Sequence, residues 1–212
     1  MAESQYAGRG QQQNRWYSED GKNLTFSVLL KPVFLPLSQQ FDLTRAVSLG
    51  IVNALAPHLG NKLKIKWPND IYYEDGKLGG ILIENIVQGS QIKNSVVGIG
   101  LNINQDIFPF EVPNAVSLKQ ILRKDYDLKI LLSEICKNIE VAYLNLKADR
   151  METVRNDYLK RLYWLNEDKM FKTNDRIFEG TIKGVKDNGL LIVAEGTEAS
   201  EYNLKEIEFL NK

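Results

Sequence analysis

The 212-residue sequence has one cysteine, one histidine and no net charge. A lone cysteine, Cys136, cannot close an internal disulfide, so no disulfide framework holds this chain together and a reducing cytoplasm is the default compartment. Cys136 sits in an apolar helical pattern and reads as a buried thiol, not a nucleophile. His58 follows a helical stretch and reads as an ordinary surface residue. The balance of 27 basic against 27 acidic residues offers no global field for nucleic acid. No apolar run approaches the roughly 18 residues that a membrane helix needs. The opening MAESQYAGRGQQQNRW has no apolar core and is no secretory signal. What is present is ordinary globular composition, 43% hydrophobic and 25% charged, on a chain long enough for a proper core.

The chain divides by pattern. Residues 1–22 are polar, with glycines and a glutamine run, and read as a loop that ligand would order. Asn23–Pro32 is apolar and partly alternating, bounded by Gly21 and Pro32, and reads as a strand. Leu43, Val47, Ile51, Ala54 and Leu55 recur at helical spacing up to His58, with Asp42 as candidate cap. LKIKWP reads as a strand stopped by Pro68. DIYYEDGKLGGILIENIV reads as a hairpin turning at Glu74-Asp75-Gly76, and IKNSVVGIGLNIN as a further strand. Ser117 caps a short helix. Leu131, Ile135, Ile139, Ala142 and Leu146 mark an amphipathic helix, and METVRNDYLKRLYW a second one. After Trp164, short strands alternate with Asn-Asp, Asp-Asn-Gly and Glu-Gly turns. That spacing predicts a small β-barrel of about five strands, with a boundary near residue 165.

Three stretches place glycine or proline beside polar groups at strand ends: GRGQQQNRW, KWPNDIYYEDGKLGGILIE and GIGLNIN. Glycines there let backbone approach a ligand closely. Arginine and backbone N–H groups suit phosphate, and Trp16 can stack on a flat ring. Each piece alone has a plain reading: a flexible Gly-Arg-Gly loop, a solvated turn lysine at Lys77, tight packing at Gly98 and Gly100. Together they predict a sheet whose strand ends surround a site for a small molecule and phosphate.

In this order the three strings resemble the catalytic core of biotin protein ligases, and the trailing strands resemble that family's C-terminal domain. The resemblance covers nearly the whole chain. The related lipoate ligases share the fold but not the KWPND string. The resemblance implies an α+β fold: a mixed β-sheet covered by helices, like that of class II aminoacyl-tRNA synthetases and biotin ligases, over residues 1–165. A small SH3-like β-barrel follows over residues 166–212. It implies biotin and ATP as substrates, Mg²⁺ carried mainly by ATP, no metal held by the protein itself, and a biotin carboxyl carrier domain as acceptor. It implies neither a nucleic-acid nor a membrane partner, and a monomer or homodimer in the cytoplasm.

Residue by residue, the resemblance assigns Lys77 to bridge the biotin carboxylate and the α-phosphate. The Trp67-Pro68-Asn69-Asp70 corner aims it, while Gly79 and Gly80 open room beside it. The backbone at Gly80 and Ile81 would contact ligand. Asn69 would help hold triphosphate and Mg²⁺. Asp70 either orients the acceptor lysine or takes its proton, or else is a structural cap of the corner. Lys66 either faces the phosphates or is a structural strand-end lysine. Gly8, Arg9 and Gly10 match the loop that grips adenylate, with Gln11 and Arg15 in the same span. Gln5 matches a biotin contact, Trp16 packs on adenine, Asn102 reads its edge, and Gly98 and Gly100 wall the biotin ring.

Two departures stand out. Relatives often carry a loop with three arginines and a third glycine, where this chain has Gln11, Gln13 and Asn14. Glutamine donates hydrogen bonds but brings no charge, so the grip on adenylate is expected to weaken. The chain also begins almost at the Gln5 motif, without the family's opening strand and helix, their biotin contacts, or any DNA-binding domain. The alternatives to an active ligase are a truncated or impaired member that binds without efficient transfer, and a lipoate-type acyl ligase.

Overall fold

The structure, a computed structural model, describes residues 1–11, 14–174 and 176–210. The expectations for Gln13 and for the turn at Asp175 lie outside them. The polar start is not a plain loop: β1 (Gly8–Arg9) and β2 (Arg15–Trp16) pair antiparallel, Gly8 opposite Trp16. Next come β3 (Leu24–Leu30), α1 (Phe41–Leu59), β4 (Leu63–Lys66), β5 (Asp70–Tyr73), β6 (Gly76–Gln88) and β7 (Gln91–Leu101). They build a five-stranded sheet in the order β3-β7-β6-β5-β4. Its ladders are all antiparallel, and parallel pairing enters through isolated bridges such as Ile65 with Leu162 and Lys77 with Ala115.

The alternation of strand side chains sorts this sheet into two faces. Leu24, Phe26 and Val28 share rows with Leu101, Ile99 and Val97, and that face turns to the hydrophobic core. Thr25 and Ser27 share rows with Gly100 and Gly98, and that face is small and polar. The site lies on the second face.

Two helices brace α1: α3 (Leu128–Lys147) and α4 (Met151–Arg161), reached through the short α2 (Leu118–Leu122). Ser117 caps α2 in a capping box with Gln120. In α3 the buried residues are Leu131, Ile135, Ile139, Ala142 and Leu146, the apolar face that the spacing predicts. Burying each Leu or Ile side chain there contributes about 2 kcal/mol. Asp42 is not the cap of α1. It sits inside the first turn, fully buried, its carboxylate turned inward to Arg45 and Arg155, while Gln40 occupies the cap position without a side-chain bond.

The chain then forms β8 (Asp168–Lys172), β9 (Ile177–Val185), β10 (Leu191–Glu195), β11 (Glu198–Tyr202) and β12 (Glu208–Phe209). These make a five-stranded antiparallel sheet in the order β11-β10-β9-β8-β12, an open row among the described residues. Its aromatic centre joins the rest of the molecule: Trp164 stacks on Tyr163 at 4.8 Å and on Phe209 at 5.5 Å between ring centroids. One hydrophobic core runs through both sheets. Cys136 is half-buried, and burial raises its thiol pKa. His58 is exposed, its ring edge-on to Tyr126. Among the described residues no helix is long and apolar enough to cross a membrane.

Candidate active site

A cavity of about 680 Å³ opens on the polar face of the first sheet. Its walls come from four separate parts of the chain: the β1–β2 hairpin, the strand face around Gly98 and Gly100, the corner from Trp67 to Asp70 with Lys77, and Leu204, Ile207 and Phe209 near the end.

The corner is clasped to β6. Asn69 accepts from the Ile81 N–H at 3.0 Å through its carbonyl, and its side-chain amide donates to the Ile81 carbonyl. This fixes Asp70 opposite Gly80. The Asp70 carboxylate lies 2.8 Å from the Lys77 ammonium, both groups partly exposed to the cavity.

A β-bulge aims that lysine. Pairing runs Ile71 with Gly79 and then Tyr72 with Lys77, so Leu78 is the extra residue. In an unbroken strand Lys77 would share a face with Gly79. The inserted residue turns it to the face of Gly80, where a Cβ on Gly80 would lie 3.7 Å from Lys77 Nζ and 3.2 Å from Asp70 Oδ1. Gly79 therefore gives no room beside the lysine. It packs on the core side, where a Cβ would come within 2.4 Å of a Leu101 methyl. The Lys77 backbone is held on both sides, its N–H donating to Asn114 at 2.7 Å and its carbonyl accepting from Val116 at 3.0 Å.

The residues expected at a ligand mostly converge. Gln5, Arg9, Gly10, Gln11, Arg15, Trp16, Asn69, Asp70, Lys77, Gly80, Ile81, Gly98 and Gly100 all line the cavity. The Trp16 ring packs against Gly100, where a Cβ would sit 2.5 Å from it. Arg9 reaches across to Glu84 at 3.5 Å, in an exposed pair that a competing anion could displace at little cost.

Three expected residues lie behind the walls instead. Gly8 packs under Trp16, whose carbonyl would be 2.5 Å from a Cβ. Asn102 is buried and acts as a strut: its amide donates to the Lys77 and Val116 carbonyls at 3.3 and 3.2 Å, leaving its own Oδ1 without a partner among the described residues. Lys66 stands opposite Asp70 in the strand register but does not line the cavity, and three rings enclose its ammonium. Its Nζ is 4.7, 5.7 and 5.1 Å from the centroids of Tyr72, Tyr163 and Phe209, and it donates to the Tyr72 hydroxyl at 3.3 Å. Burial is the main cause that lowers its pKa; Asp70 opposes this and Lys77 adds to it. Burial likewise raises the pKa of Tyr72 and of Tyr163.

Sequence reasoning missed Thr25, Ser27, Glu84 and the three C-terminal residues. Thr25 and Ser27 were findable, since they alternate with the core residues Leu24 and Phe26 opposite the glycines of β7. Leu204, Ile207 and Phe209 carry no local signal. Among the described residues no group of three or more His, Cys, Asp or Glu is arranged to hold a metal ion.

A lysine ammonium over a glycine floor, facing an arginine-bearing hairpin across a cavity on a sheet, makes a site suited to gathering anions. Residues 1–102 match the model of the biotin/lipoate A/B protein ligase family. The fold matches a biotin protein ligase from Aquifex aeolicus, solved with biotin and ATP, with a TM-score of 0.82 and 25% identity over 100% of this chain and 88% of that one. The bifunctional ligase/repressor BirA of Bacillus spizizenii is 28% identical over 91% of this chain and 60% of its own length. The biotin–[acetyl-CoA-carboxylase] ligase of Paracoccus denitrificans is 28% identical over 91% of this chain and 82% of its own length. The chain thus spans only 60% of the length of the Bacillus relatives. Its first 102 residues are similar to the biotin/lipoate A/B protein ligase family, and the whole chain has the biotin protein ligase fold.

Proposed function

We propose that this chain activates biotin with ATP, forming biotinoyl-5′-AMP and pyrophosphate, and then passes biotin to a lysine of a biotin carboxyl carrier domain. The observation that carries this reading is the Lys77–Asp70 pair, held above Gly80 in a cavity that also gathers Arg9 and Arg15. The first step brings a carboxylate against a triphosphate. A carboxylate oxygen bonds to the α-phosphorus as the bond to pyrophosphate breaks. Lys77, already turned to the cavity by the bulge, would offset charge on both anions, and Arg9 would leave Glu84 for the phosphates. A fixed ammonium in a partly dry site supplies roughly 3 kcal/mol of transition-state stabilisation.

Mg²⁺ would arrive on the triphosphate and stay mainly on phosphates and water. With its amide committed to Ile81, Asn69 keeps its side-chain oxygen for that metal or its waters, and Asp70 offers a charged oxygen donor. In the second step the acceptor amine attacks the acyl carbonyl and AMP leaves. Once Lys77 turns to the adenylate, the Asp70 carboxylate would be free to take the proton of the incoming amine. Gln11 lines the cavity without charge, so retention of the adenylate would rest on Arg9 and Arg15.

Biotin-dependent ATP–pyrophosphate exchange on the purified chain tests this reading. Exchange should require biotin, outcompete added lipoate, and fall about 150-fold in Lys77→Ala with unchanged Tm. Exchange that lipoate supports better, or that survives loss of Lys77, would refute it.

A further inference from the structure

The turn between β9 and β10 carries none of the motif residues, yet it is bound to the part of the molecule that carries the site. Arg45 of α1, 2% exposed, donates from Nη2 to the Val185 carbonyl at 2.8 Å and to the Lys186 carbonyl at 2.7 Å. Arg155 of α4 pairs with Asp187 at 2.9 Å. Gly189, at φ +93°, lies on the ring of Phe41, where a Cβ would come within 2.8 Å of Cδ2. The turn closes on itself through Gly189 N–H to the Lys186 carbonyl at 2.9 Å. These contacts fix the Gly189 carbonyl against α1 and α4. That carbonyl then accepts the indole N–H of Trp67 at 2.8 Å.

Trp67 is 5% exposed and lines the cavity. It opens the corner whose next residues are the clasp Asn69 and the carboxylate Asp70, and Asp70 in turn pairs with Lys77. A rotation of the indole would carry the corner with it. Catalytic groups must be held within about 0.5 Å of their working geometry, and a 1 Å misplacement can cost roughly 100-fold in rate. We infer that the 186–190 turn is a positioning element for Asp70 and Lys77, acting through the hydrogen bond from Trp67 to Gly189. The C-terminal sheet thus has a task inside the first reaction step, besides walling the cavity with Phe209. The catalytic part of this inference rests on the ligase reading above; the mechanical coupling does not.

The test uses the full chain with Trp67→Phe, Gly189→Ala and the double variant. Phe keeps most of the ring and removes its only N–H. Three quantities are read: Tm, kcat and KM for adenylate formation, and hydrogen exchange of the segment 66–84. Each single variant should lower kcat about tenfold and leave both KM values within about twofold. The double variant should be no slower than the slower single one, and exchange in 66–84 should quicken while α3 stays protected. A fall in Tm with unchanged kcat, additive losses in the double variant, or unaltered exchange in 66–84 would overturn the inference. Should Gly189→Ala not fold, Trp67→Phe alone still decides through kcat and exchange. A wild type silent in pyrophosphate exchange would refute the ligase reading, and hydrogen exchange would still decide the coupling.

Discussion

Gly80 passes directly under the Asp70–Lys77 ion pair, and its neighbour Gly79 faces the opposite way into the core. The two glycines therefore answer to different demands. Gly80→Ala places a methyl 3.2 Å from Asp70 Oδ1, a crowding that a partly exposed carboxylate relieves by moving. Adenylate formation should fall about tenfold with little loss of stability. Gly79→Ala drives a methyl to 2.6 Å from the Gly100 carbonyl, which is backbone and cannot yield. That variant should lose about 3 kcal/mol or more, as overpacked cores do. Urea unfolding beside pyrophosphate exchange separates the two; equal destabilisation would refute the assignment of faces.

Asp42 holds two arginines, and the pairing is buried on one side completely: Asp42 is 0% and Arg45 2% exposed. Removing the carboxylate leaves the Arg45 charge in the core without a counter-ion, held by two backbone carbonyls and the rings of Phe41 and Tyr158. Breaking such a pair costs about 3–5 kcal/mol. Asp42→Ala should therefore lower Tm by roughly 10 °C, measurable by calorimetry. A shift under about 2 °C would mean that water reaches Arg45 and screens it.

The extent to which the sequence anticipates this follows from how local each signal is. The stripe from Leu131 to Leu146 and the alternation around Phe26 depend on neighbours along the chain, and both are legible. The GRG, WPND and GIG strings converge on one cavity as their resemblance implies. Which of Gly79 and Gly80 shares the face of Lys77 is not legible, because it hangs on the bulge at Leu78, a pairing between strands that no single strand's periodicity records. Asn102 reads as a ligand contact until the 114–116 segment is seen to dock on Lys77, giving its amide two carbonyls to bridge. For Lys66 the sequence leaves a phosphate contact and a structural strand-end role both open, because one of its rings, Phe209, lies far along the chain. Asp42 looked like a cap for the same reason: Arg155 comes from another helix.

Lys66 gives a pH dependence whose sign is fixed by its surroundings. Burial lowers its pKa in the folded chain below that of an ordinary lysine, about 10.4 when unfolded. Below the folded value both states carry the proton, and the cost of burying the charge is fully present. Between the folded value and about 10.4 the folded state has released the proton while the unfolded state still binds it, so stability from this group rises with pH. The rings of Tyr72, Tyr163 and Phe209 favour the cation and reduce this cost without removing it. Lys66→Met keeps the length of the stem and discards the charge. It should be more stable than the wild type at pH 7, and the gap should narrow as pH climbs toward 10. Urea unfolding of both chains across that range measures the difference directly and cancels the other lysines. A gap that widens with pH, or a Lys66 signal that titrates at or above ordinary lysines in ¹³C-methyl NMR, would mean that the rings and Asp70 outweigh burial and hold the charge.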